Sequence, residues 1–240
     1  MVEQVNVMLI AGQSNALGIS HVSGLPTDRQ CEYEVDIYFR TNTENPNNGV
    51  WQAVRPGLGH REDRFGLELP AASVLAQTGK PWVIIKYASD GTALYDRWNK
   101  ERSAQDYDAL ITTLHEAVRD LERAGKTPVF RGLLWQQGCS DAIKEHTAAE
   151  YEKNLRAFIE NIRAETVADL PVAIGSVHEF SERMPYRATV IAAQKKVAAE
   201  IGRAVFVPTT DIEEMFDGWH YTPVCEWELG RRLTEAVLKL

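Results

Sequence analysis

Cysteine is scarce: the 240-residue chain carries Cys31, Cys139 and Cys225 and no others. An odd count without close pairing makes no disulfide framework, so a reducing compartment is expected. Long apolar runs are missing too. None approaches the ~20 residues a membrane helix needs. The opening stretch, MVEQVNVMLIAGQSN, has no basic segment ahead of its short apolar run. It reads as a core strand rather than a secretory leader, which makes a cytoplasmic protein without a membrane the expectation. Dense basic runs are absent as well. Lys and Arg number 26 against 34 Asp and Glu, a formal net charge of −8. Such a surface repels phosphate backbones, which argues against a nucleic-acid partner. The six histidines form no His-x-x-x-His pair, there is no Walker loop, and Gly57-Leu58-Gly59 lacks both a later glycine and a convincing strand before it. No metal and no nucleotide cofactor is therefore expected. Repeats and low-complexity linkers are also lacking.

What is present suits one α/β domain spanning residues 1–240, with 44% hydrophobic and 25% charged residues. Five short apolar runs recur: Val5 to Ile10, Trp82 to Tyr87, Val129 to Trp135, Val172 to Gly175 and Ala204 to Val207. They are continuous rather than alternating, as strands buried on both faces are. Between them lie helical stripes. Tyr107, Leu110, Ile111, Leu114, Val118 and Leu121 form one, with Gly125 as a stop. Tyr151, Leu155, Phe158, Ile159 and Ile162 form a second. Thr189, Ala193, Val197 and Ile201 suggest a third, and Trp227, Leu229, Leu233 and Val237 a C-terminal helix. Alternating strands and helices predict a parallel sheet covered on both faces. Residues 18–64 read as a long loop excursion with a small hairpin through Glu34 to Arg40. Ligands of open α/β sheets sit beyond the carboxyl ends of the strands, so chemistry is sought just after each apolar run.

Gly12-Gln13-Ser14-Asn15 follows the first run. A serine in a tight strand-to-helix turn is presented at the top of the sheet, with free N–H groups nearby. The alternative is that Ser14 only caps a helix. Near the other end stands Asp217-Gly218-Trp219-His220. A hydrolytic serine needs a base and the base needs an orienting carboxylate; Asp-x-x-His supplies both from one loop. An unperturbed histidine titrates at ~6.5, close to working pH. By itself this pattern is also that of a surface turn. Gly91, after the second run, can bring a backbone N–H to a bound oxyanion, and a Gln amide after the third run can add a donor. An ordinary turn glycine and a polar loop residue are the alternatives. Cys139 could be a nucleophile, although a free cysteine is more commonly a small buried side chain. Trp51, Trp98, Trp219 and Tyr221 are candidates for a sugar-binding face, with partly buried packing as the alternative. The charge run Arg61-Glu62-Asp63-Arg64 reads as a solvated loop, with the alternative that one of its residues lines the cleft, since the run stands just before Phe65-Gly66.

Taken together, these blocks resemble the SGNH hydrolases, in the branch of the sialate O-acetylesterases and acetylxylan esterases. The resemblance rests on Leu9 to Asn15, Phe65-Gly66-Leu67-Glu68-Leu69, Gly91 to Leu94 with Trp98, Trp135 to Asp141, and Asp217 to His220, in the family's order. It implies a three-layer α/β/α sandwich with a five-stranded parallel sheet, flavodoxin-like. It implies metal-free hydrolysis of O-acetyl esters, on an acetylated carbohydrate or another small acyl ester. It implies Ser14 as nucleophile, His220 as base and Asp217 as its partner. Ser14 and Gly91 N–H groups with the Gln137 side chain would form the oxyanion hole, and Gln13, Trp98 and Trp219 would touch substrate. Two departures stand out. Cys139 replaces a Glu common in relatives, and Asp90 precedes Gly91 where relatives have paired glycines. These departures keep a second class of function open, a carbohydrate-binding module with little turnover.

Overall fold

The computed structural model describes residues 3–240. Each apolar run becomes a strand. Along β1 (Glu3–Gly12), Val5, Val7, Leu9 and Ala11 enter one core cluster while Met8 and Ile10 enter the other. Alternation of side chains across a pleated strand thus feeds two cores, which explains why the run is apolar on both faces apart from the partly buried Asn6 near its start. The other strands are β2 (Ser20–His21), β3 (Tyr33–Thr41), β4 (Val50–Val54), β5 (Arg64–Phe65), β6 (Trp82–Ala88), β7 (Lys126–Gln136), β8 (Val172–Gly175) and β9 (Ala204–Val207). The helices are α1 (Ser14–Leu17), α2 (Glu68–Ala76), α3 (Gln105–Arg123), α4 (Glu145–Ala149), α5 (Tyr151–Glu165), α6 (Arg187–Glu200) and α7 (Pro223–Val237). Among the described residues no helix is long and apolar enough to cross a membrane.

The architecture is a three-layer α/β/α sandwich. One core packs the sheet on α3, α5 and α6, through residues such as Leu110, Phe158 and Val197. The other packs it on α2 and α7, through Leu69, Ala72, Leu229 and Leu233. The main sheet runs β4-β3-β6-β1-β7-β8-β9. It has seven strands rather than five: six are parallel, and β4 pairs antiparallel with β3 at the edge. The expected small hairpin at Glu34 to Arg40 is therefore a strand of the main sheet, with β4 as its return. Exposed Glu34 and Asp36 interrupt its apolar pattern, which disguises a strand that nonetheless buries Val35, Ile37 and Phe39.

The four helical stripes are helices. Gly125 takes a left-handed φ of 76° just past α3, as a helix stop does. The third stripe is offset: α6 buries Val190, Ala193, Gln194 and Val197, while Thr189 is exposed. Position in the sheet builds the site. β1 is central, and Gly12 is in register with Ala88 of β6 and Gln136 of β7. Three strands therefore end at one level, at the point where the connections diverge to opposite sides of the sheet.

Candidate active site

A cavity of about 230 Å³ opens above those strand ends. Gln13 and Ser14 line it from the β1 turn, Asp90 and Gly91 from the loop after β6, and Cys139, Ser140 and Ile143 from the loop after β7. Trp219 and His220 close it from the segment before α7.

The β1 turn is made by glycine. Gly12 has φ 148°, and a Cβ there would run into the backbone carbonyl of Gln136. Side chains on either side of Ser14 then fasten the turn. Gln13 Oε1 accepts the N–H groups of Gly138 (3.1 Å) and Ser140 (3.3 Å). Asn15 Nδ2 donates to Trp219 O (3.2 Å), and Asn15 Oδ1 accepts the Tyr221 N–H (3.4 Å). The residues flanking Ser14 thus tie its turn to the β7 loop on one side and to the histidine loop on the other. The sequence reading missed Asn15; its place beside Ser14 was the signal.

Asp217 and His220 are brought together. His220 Nδ1 lies 2.6 Å from Asp217 Oδ2, while Asp217 Oδ1 accepts the Trp219 and His220 N–H groups at 2.8 and 2.9 Å. Burial opposes ionisation of Asp217, but the bond from His220 and the two backbone N–H groups outweigh it and hold the carboxyl below its usual range. With Nδ1 turned to the carboxylate, Nε2 is left for other chemistry. Phe216 stacks on the imidazole, with ring centroids 5.8 Å apart. Ser14 and His220 line the same cavity without a direct hydrogen bond. Among the described residues no acceptor meets the N–H of Ser14 or of Gly91, so two donors are free at the cavity.

Two expected roles do not survive. Gln137 is buried outside the cavity, and its amide N–H groups are taken up by Thr92 O (3.0 Å) and Asp141 Oδ2 (2.6 Å). It has no donor left for an oxyanion. Trp98 is 1% exposed, donates Nε1 to Thr92 Oγ1 (2.9 Å) and packs edge-on to Trp135 and Phe158. It is a core residue rather than a sugar platform. Tyr221 is likewise buried, and Trp51 packs on Tyr38. Of the four aromatic candidates, Trp219 lines the cavity. Gln13 lines it too, though its carbonyl oxygen serves the β7 loop. The Arg61–Arg64 run does not line it; Arg64 donates to Ile19 O instead.

Cys139 borders the cavity, but burial pushes its thiol up to about 12, so it is no thiolate nucleophile. Asp141 holds two loops together. Its carboxylate accepts Leu94 and Tyr95 N–H groups at 2.8 and 2.9 Å, joining the β6 loop to the β7 loop. Burial pushes its carboxyl up to about 6, against the pull of those bonds and that of Gln137. Among the described residues no group of three or more His, Cys, Asp or Glu side chains is gathered as a metal site.

The model of a carbohydrate esterase family, the sialic acid-specific acetylesterases, matches residues 4–239. The chain belongs to that family. Among its relatives is a probable carbohydrate esterase of Arabidopsis thaliana, 25% identical over 159 residues, or 65% of this chain and 55% of the relative. The match therefore spans little more than half of that relative's length. Solved structures share the fold of this family member. An Arabidopsis thaliana protein superposes with a TM-score of 0.79 at 19% identity over 98% of each chain. NanS does so at 0.73 and 16%, over 99% of this chain and 97% of its own. A carbohydrate acetylesterase from Xanthomonas citri gives 0.71 and 20%, over 96% of this chain and 55% of its own.

Proposed function

We infer that this family member is a serine esterase that removes O-acetyl groups from carbohydrates. The observation that carries the reading is one cavity lined by Ser14, by the Asp217-paired His220 and by the free N–H groups of Ser14 and Gly91. In this reading His220 takes the Ser14 proton as Oγ attacks the acetyl carbonyl. The two N–H groups stabilise the tetrahedral oxyanion. The protonated imidazole, steadied by Asp217, returns the proton to the departing sugar alcohol. A water activated by His220 then opens the acetyl-serine and releases acetate. Trp219 at the edge of the cavity offers a flat apolar surface to a sugar ring.

The test is acetate release from 4-nitrophenyl acetate and from an acetylated xylo-oligosaccharide, comparing wild type with Ser14→Ala. Loss of both activities in the variant is expected. Activity on the aryl ester alone would move the natural substrate away from sugars. Equal activity in the variant would remove Ser14 as nucleophile. No activity at all in wild type would favour a carbohydrate-binding module.

A further inference from the structure

The acyl pocket has a charged lip. Asp90 and Gly91 are exposed neighbours, and both line the cavity beside Ser14 and His220. The Asp90 backbone is held by the Asn42 carboxamide, whose Oδ1 accepts its N–H at 3.3 Å. Its carboxylate meets no cationic partner among the described residues, whose ion pairs all lie elsewhere. Asp90 is thus the one carboxylate that lines the cavity among the described residues. The Arg183 guanidinium lies over the Trp219 ring, 5.7 Å from its centroid, and does not itself line the cavity.

An unpaired carboxylate at this position has two consequences for a bound sugar. It accepts hydrogen bonds from ring hydroxyls, and it repels a carboxylate on the sugar. The chain's net charge of −8 acts in the same direction at longer range. We propose that Asp90 is a specificity-determining residue that selects neutral, hydroxyl-bearing acetylated sugars over acidic ones. This rests on the acetylesterase reading and narrows it. The family's name points to an acidic sugar, whereas this cavity presents a negative lip.

The experiment uses a matched pair, a methyl O-acetyl-glucoside and the corresponding methyl O-acetyl-glucuronide, which differ by one carboxylate. kcat/KM for each is measured by acetate release in wild type, Asp90→Asn and Asp90→Glu, with 4-nitrophenyl acetate as reference ester. Like charges a few ångströms apart at a half-open mouth alter a rate ratio by about 3- to 10-fold. Wild type should favour the neutral glycoside by about that factor. Asp90→Asn should bring the ratio near unity and Asp90→Glu should retain it. Raised ionic strength should narrow the gap in wild type. Because each ratio is taken within one variant, a general loss of activity does not mimic the effect. A wild-type preference for the glucuronide, or a ratio unmoved by Asp90→Asn, overturns the role of Asp90 and leaves the esterase standing. No turnover of any of the three esters by wild type overturns the esterase and the selectivity together.

Discussion

At the scale of the residue, three consecutive side chains divide the work of the β1 turn. Ser14 lines the cavity, Gln13 holds the β7 loop, and Asn15 holds the histidine loop. Ser14→Ala should lower kcat/KM for acetyl esters by about 10³-fold or more while the circular dichroism spectrum is unchanged. Asn15→Ala keeps the Ser14 and His220 side chains but frees the loop that carries the histidine. It should lower kcat by about 10-fold or more with little change in KM, because a slightly displaced base is costly in rate. A matching rise in KM alone would show that Asn15 does not position the base. Asp217 adds a pH dependence. Its folded carboxyl lies below the ordinary range, so the pair with His220 is intact above the unfolded carboxylate value and is lost as pH falls through the folded one. Asp217→Asn should remove most of the activity at neutral pH, by about 10²-fold or more, since Asn cannot stabilise the protonated imidazole.

At the scale of the element, α2, β6 and α7 meet over a buried charge cluster. Lys86 Nζ lies 2.5 Å from Glu68 Oε2 and donates to Leu17 O at 2.7 Å, while Glu68 Oε1 accepts the Gly66 N–H at 2.9 Å. The cluster fastens the end of α1 to the start of α2 directly behind the serine turn. Lys86→Met would leave Glu68 buried without its counter-charge and should cost about 3–5 kcal/mol in urea unfolding. Glu226 of α7 is 1% exposed with neither carboxyl oxygen hydrogen-bonded. Burial, with Glu68 nearby, pushes its carboxyl well above 4.5. Asp141 is raised in the same sense, from 3.8 to about 6. For both groups the folded state binds the proton more tightly than the unfolded chain. Their contribution to stability is full below the unfolded values and is lost as pH rises through the folded ones. Unfolding free energy should therefore decline from about pH 4 upward on account of these groups, and Glu226→Gln should flatten that decline. A slope unchanged in Glu226→Gln would show that Glu226 ionises as it does in the unfolded chain.

At the scale of the whole molecule, two cores clamp one sheet, and α7 closes the second of them. Leu233→Ala, in a fully buried position of that helix, should cost about 2–5 kcal/mol in urea unfolding. The sequence by itself determined five strands, because burial between two helical layers demands mostly apolar runs, and the runs stay legible despite Asn6, Lys86 and Arg131 within them. It also determined the four long helical stripes and the Asp217–His220 pair, because four residues on one loop reach each other locally. Only the tertiary structure decided the rest. Whether β3 joins the sheet depends on β6 and β4 beside it, and its charged positions hide that from a pattern. Which amide donates to the cavity depends on competing acceptors: Thr92 O and Asp141 claim Gln137, though they lie 45 and 4 residues away in the chain. Trp98 became core because Tyr87, Trp135 and Phe158 surround it. Asp90 became the lip of the pocket because the register of β1 with β6 sets the loop after β6 beside Ser14. Local periodicity records how much of a segment is buried; which partner buries it is fixed only when distant segments pack together.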